Sequence, residues 1–248
     1  MFKQIAVVAI LIIAFTSTVT GQATENLSAN NNANAKWEET LGGAEAAKAI
    51  ARFGDLSSAA MRERLQQMRL PAYLPGPTLV NKIVEARNLV VASGKRVDKL
   101  KAALQPVLDY HGRSQMPIYV LWSDQPMASL VDRSVIIITN RLMISATDEE
   151  IRGIVAHELA HEYVWDERSQ AKEAKNGKQM RELELFCDVV AAFTLKEIGD
   201  DPASYGRILV RITMIGSKTD SVTKSETDTH PSLDTRKKLN KFLCQRLD

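Results

Sequence analysis

Cysteine is almost missing: the 248-residue chain has two, Cys187 and Cys244, and none stands before Cys187. A lipid-modified N-terminal cysteine is thereby excluded, while the sequence leaves open whether the two thiols pair or stay free. A surplus of one charge is lacking too, since 32 basic residues face 30 acidic ones for a formal net charge of +2. No overall field exists to recruit nucleic acid or acidic lipid. Beyond the N-terminus no segment is apolar enough to cross a bilayer. Histidine is also scarce, with four in the chain, and His157, His161 and His230 fall in two short motifs. What is present, 45% hydrophobic and 25% charged residues, is ordinary globular composition with material for one good core.

The N-terminus has the layout of a secretory signal: Lys3, an unbroken apolar run over residues 5–15, then small and polar residues through Gly21 and Ala23. Eleven apolar residues are short of the roughly 20 that span a bilayer comfortably. Residues 1–23 are therefore expected to direct export, to a periplasmic or secreted location, with cleavage. The alternative is an uncleaved anchor extended by residues 16–19. Residues 24–36, mostly Asn, Ala, Thr and Ser, read as a disordered linker. Residues 37–248 then form a single domain, with a helical layer over 37–112 and a second part over 113–248. Helical patterns cover 44–68, 78–92 and 97–110, punctuated by Pro71, Pro75, Gly76, Pro77 and Gly94. Short β-rich runs follow at 118–122 and 135–139, with turn residues and Pro126 between them. Helix resumes at Asp148 behind a capping box of Thr147 and Glu150. Further helices are expected over 180–198, 202–215 and 231–247, and the Lys- and Glu-rich stretch 166–179 reads as an exposed loop.

On the helix from Asp148, His157 and His161 are four residues apart, so both imidazoles project to one side and can reach one ion. Zinc suits two neutral imidazoles plus a carboxylate, with a position left for water. Glu158, next to the first histidine, is placed to take a proton from that water without being a ligand. Glu184 and Asp188 repeat the four-residue spacing on another helix: Glu184 is the candidate third ligand, and Asp188 a candidate acceptor for the far nitrogen of a ligand histidine. Alone, that acidic pair fits a solvated helix face as well. Glu182 competes for the ligand role but faces elsewhere. His230, Pro231 and Arg236 form a third group at a helix start, where an imidazole and a guanidinium could hydrogen-bond a developing oxyanion. The fourth histidine, His111, reads as structural or exposed.

In this order, the run from Val135 to Thr139 leading to Leu142, the His157-Glu158-His161 group, Glu184 with Asp188, and His230-Pro231 with Arg236 resemble one zinc metallopeptidase family. It is family forty-eight of the metallopeptidases, which includes the CAAX prenyl endopeptidases and the HtpX-like quality-control proteases. The resemblance spans about 118–236. It implies an α+β fold: a mainly helical, zincin-like domain with a small mixed sheet beside the active-site helix. It also implies a gluzincin centre, with one Zn2+ on His157, His161 and Glu184, Glu158 as base, and oxyanion help from His230 and Arg236. The expected activity is hydrolysis of extended protein or peptide segments, in extracytoplasmic quality control, by a minimal soluble member. Substrate would pair with an edge strand, taken as Val135, Ile136, Ile137, Ile138 and Thr139. Where relatives often carry Asn-Ala before this strand, Met127 and Ala128 stand here, which puts a polar substrate contact in doubt. The expected partners are protein or peptide substrates, with no nucleic acid, and membrane only through an uncleaved N-terminal segment. Two rival readings are a non-catalytic, zinc-stabilised scaffold or holdase for unfolded chains, and a latent peptidase covered by 166–179.

Overall fold

The computed structural model describes residues 41, 43–68, 70, 91–216 and 229–247. The export segment, the linker and the 78–90 part of the expected second helix lie outside those residues. In chain order come α1 (Ala44–Ala51), α2 (Ser58–Gln67), α3 (Lys95–Tyr110), β1 (Ile118–Leu121), β2 (Ala128–Val131), β3 (Val135–Thr139) and α4 (Asn140–Ser145). They are followed by α5 (Asp148–Ala160), a 3-10 turn (His161–Val164), α6 (Trp165–Glu173), α7 (Gly177–Glu197), α8 (Ala203–Gly216) and α9 (Leu233–Arg246). The described part is mainly helical with one small mixed sheet, as the α+β expectation required. No helix among the described residues is long and apolar enough to cross a membrane.

Helix α7 organises the interior. Every residue from Leu183 to Leu195 is buried, so it has no solvent face over that span. One of its sides joins α1, α2 and α9 in a core holding Ile50, Met61, Phe186 and Leu243. The other side joins α3, α5, α8 and the sheet in a second core holding Leu104, Ile138, Leu159 and Ile208. Glu184 and Asp188 ride on this helix and are carried inside with it. Helix α5 begins at the expected capping box, both halves of which are formed. It approaches α8 closely at Gly153, where an added Cβ would meet Leu195 Cδ1 at 3.2 Å and the Tyr205 Cα at 3.3 Å. The glycine is thus a packing requirement that brings Tyr205 against the turn bearing His157. Asn240 on α9 likewise fills the space that a Cβ on Gly206 would need, and donates from Nδ2 to the Pro202 carbonyl at 3.2 Å.

Four expectations need correction. The 44–68 pattern is two helices: the chain turns through Gly54 at φ 72° and restarts behind the Ser57 cap, whose hydroxyl accepts from the Ala60 amide. The stretch 166–179 is mostly helix, α6 running to Glu173 before a turn at Lys175 (φ 52°) and the Asn176 cap of α7. Its polarity marks an exposed helical face, since Ala171 is its only fully buried residue. Residues 91–92, placed at the end of the second helix, are extended: Val91 bridges Leu121, and the Ala92 amide donates to the Val120 carbonyl.

The fourth correction concerns the sheet, whose order is β1-β3-β2. Val135, Ile136, Ile137, Ile138 and Thr139, expected at an edge, form the central strand, parallel to β1 and antiparallel to β2. All five are buried, which explains an unbroken apolar run in place of alternation. The edge strand is β2. Its hairpin turns on Asp132 (φ 48°) and Arg133 (φ 56°), the left-handed pair that a tight connection demands, without the Asn or Gly that usually announces one.

Candidate metal centre

Helix α5 delivers His157 and Glu158 on its last turn, and His161 opens the 3-10 turn that follows. Arg113 fixes that turn: its Nε and Nη2 donate to the buried Glu162 carboxylate at 2.8 and 2.6 Å. The donor atoms of His157, Glu158 and His161 all lie within 4.8 Å of one another, and both imidazoles are buried. This group could hold a metal ion. Glu184 also approaches both rings, with Oε2 3.3 Å from His157 Nε2 and Oε1 3.8 Å from His161 Nε2. Two ligands at ordinary zinc distances on a tetrahedral ion lie about 3.4 Å apart, so the two imidazoles and Glu184 already stand near ligand spacing. Glu158, half-buried, sends Oε2 to accept from the Leu130 amide of β2 at 3.1 Å.

The far nitrogens are also engaged. His157 Nδ1 is 3.0 Å from Asp188 Oδ1 and 2.9 Å from the Tyr205 hydroxyl. Tyr205 donates to Asp188 at 2.5 Å, and Arg236 donates from Nε and Nη2 to the same carboxylate at 2.8 and 2.6 Å. Behind His161, Nδ1 meets the Cys187 thiol at 3.3 Å. Each imidazole therefore turns Nε2 toward Glu184 and is held from the opposite nitrogen, the usual arrangement behind metal-ligating histidines.

Electrostatics point the same way. Burial alone would press the His157 pKa down, but hydrogen bonds to Asp188 and Glu184, together with their charges, carry it up to about 9. Glu184 is held well below the carboxylate range: burial opposes this, but the His157 hydrogen bond and the charges of both histidines outweigh it. For His161 burial wins, and its pKa falls to about 3. Burial raises the Glu158 carboxyl, partly offset by the charge of His157 and the Leu130 hydrogen bond. The pocket favours a cation between His157 and the carboxylates, either a proton or a metal that displaces it.

The centre opens into a cleft of about 1170 Å³. One wall is β2 and the residues before it, Pro126 to Leu130; the others come from α1, α5, α6, α7, α8 and the start of α9. Because the Leu130 amide leaves the sheet to reach Glu158, the backbone groups of Ala128 and Leu130 face the cleft and not β3.

The expected site residues converge with two differences. His230 is exposed at the cleft wall, its Nδ1 3.1 Å from the Thr229 hydroxyl. Arg236 also borders the cleft, but two of its nitrogens are committed to Asp188 and Tyr205, which makes it the brace of Asp188. Glu182 turns away to Arg52, at 3.2 Å. His111 is buried between Tyr163 and Thr194, a structural residue as one of its two readings had it. Cys187 and Cys244 form no disulfide with each other. Sequence reasoning missed Tyr205, which sits on the buried face of α8 with Ile208 and Leu209 and carries the pattern of a core aromatic. It also missed Cys187 as a neighbour of His161, and β2 as the strand over Glu158. No protein-family model matches the chain, and no curated protein matches it in sequence.

Proposed function

We propose that the chain is a zinc-dependent endopeptidase of the gluzincin kind, with a zincin-like catalytic fold, cutting extended protein segments in extracytoplasmic quality control. The observation that carries this reading is the division of labour around α5. Two Nε2 atoms face the Glu184 carboxylate at ligand spacing, while the neighbouring Glu158, close to both rings, lends Oε2 to the edge of a strand that lines a cleft. A structural zinc site closes its fourth position with another protein group; Glu158, its Oε2 held by the Leu130 amide, would leave that position to water.

His157, His161 and Glu184 would hold the ion, which when bound polarises the scissile carbonyl and makes an attacking water more acidic. An extended segment would pair with the outward groups of Ala128 and Leu130, adding a strand to β2. That pairing sets the scissile carbonyl beside Glu158, which takes the proton of the attacking water and later hands it to the leaving amine. Asp188, braced by Arg236 and Tyr205, keeps Nδ1 of His157 engaged and its Nε2 aimed inward. His230, which lines the cleft, would donate to the developing oxyanion.

Digestion of casein by the purified protein, with and without a chelator, tests the reading. Cleavage abolished by chelation and restored by zinc is the expected result. Zinc bound at one equivalent with no cleavage would favour a scaffold, and cleavage that resists chelation would contradict both.

A further inference from the structure

The charged groups of the cleft are hydrogen-bonded to one another or face the metal position, with one exception. Arg181 donates to Glu45 at 2.9 Å, and Arg236 is bound to Asp188. Glu158 and Glu184 face the position of the cation. The exception is Arg168, on α6, seven residues beyond His161 and part of the cleft wall. Its Nε is buried and has no hydrogen-bond partner among the described residues. Glu184 Oε1, 3.7 Å away, forms an ion pair with it but is too far for a hydrogen bond. A buried N–H left without an acceptor is costly, and a guanidinium fork is shaped to take a carboxylate through two parallel hydrogen bonds.

We propose that Arg168 is a specificity-determining residue that grips a carboxylate of the bound peptide, beside the metal position. The inference rests on the peptidase reading for the nature of the ligand. With a dication balanced by Glu158 and Glu184, Arg168 supplies the unmatched positive charge of the cleft's described residues, so the ligand that completes the site is anionic there. Its proximity to Glu184 places the gripped group next to the reacting bond and not at a distant subsite. An acidic side chain and a free chain terminus both offer this chemistry.

Binding separates the two sources without reading catalysis. Fluorescein-labelled extended peptides are titrated into full-length, zinc-loaded Glu158→Gln protein, followed by anisotropy. One pair differs by an internal Asp against Asn, and another by a free against an amidated C-terminus. The carboxylate form of one pair should bind at least about tenfold more tightly, and the pair that shows the preference identifies the source. Adding Arg168→Gln should bring that ratio to about one. Arg168→Lys, which keeps the charge and loses the fork, should retain part of it. Equal binding within both pairs, a preference that survives Arg168→Gln, or no binding of any peptide would overturn the proposal. So would a variant that loses zinc affinity and keeps the ratio, because Arg168 would then only prop Glu184. If the parent protein fails to cut peptides that the Glu158→Gln protein binds with this preference, the hydrolase reading falls and the anchor stands.

Discussion

Two buried histidines contact the same central helix, His157 at Glu184 and Asp188 and His111 at Thr194, and behave in opposite ways. His111 is enclosed with the Tyr163 and Thr194 hydroxyls; burial, and then the nearby Arg113 charge, lowers its pKa to about 3. His157 is as deeply enclosed, yet Asp188 and Glu184 carry it to about 9. Burial by itself silences an imidazole, whereas burial beside two carboxylates creates a place for a cation. The first environment is built for stability, and the second keeps charge inside at the cost of needing Arg236 and Tyr205 to hold it in order.

Glu158→Gln sharpens this contrast most. It should lower casein cleavage by about 10³-fold while zinc content stays at one equivalent, because a general base is lost and no ligand is. Next in size, Asp188→Asn makes the surroundings of His157 more like those of His111. Zinc affinity, measured by competition with a chromogenic chelator, should fall by about 10–100-fold.

On the other side of the contrast, His111→Gln should make stability less sensitive to acid. The folded pKa of about 3 lies below the ordinary value of 6.5, so between those limits the unfolded chain binds a proton that the folded chain does not. Stability is full above the unfolded pKa and declines as pH falls toward the folded one. Denaturant unfolding at pH 7 and pH 5 should show a drop smaller by about 2 kcal/mol in the variant. The smallest expected effect is that of Gly153→Ala, which presses α8 away from α5 at Tyr205. A loss of about 1 kcal/mol by the same assay is expected, because the tip of Leu195 can yield and the Tyr205 backbone cannot.

The legible parts of the sequence were those that depend on local spacing. Thr147 with Glu150 marked the start of α5, the four-residue step from His157 to His161 fixed their common side, and Glu184 with Asp188 repeated it on α7. What escaped depends on contacts between distant segments. The isoleucine run of β3 reads the same at an edge or in the centre, and only pairing with β1 and β2 decides. The hairpin at Asp132 and Arg133 carries no glycine to announce it. Tyr205 obeys the helical pattern of a core residue, and its role comes from a hydroxyl reaching Asp188 across α7. The rigid role of Arg236 was hidden for the same reason: its partner lies 48 residues earlier.

The most direct test is a crystal structure of the zinc-loaded protein with anomalous data at the zinc edge. One ion should lie at ordinary ligand distance from His157 Nε2, His161 Nε2 and a Glu184 oxygen, with water in the remaining position and Glu158 within hydrogen-bond reach of it. An ion held elsewhere, or a fourth protein side chain in the place of that water, would contradict the account.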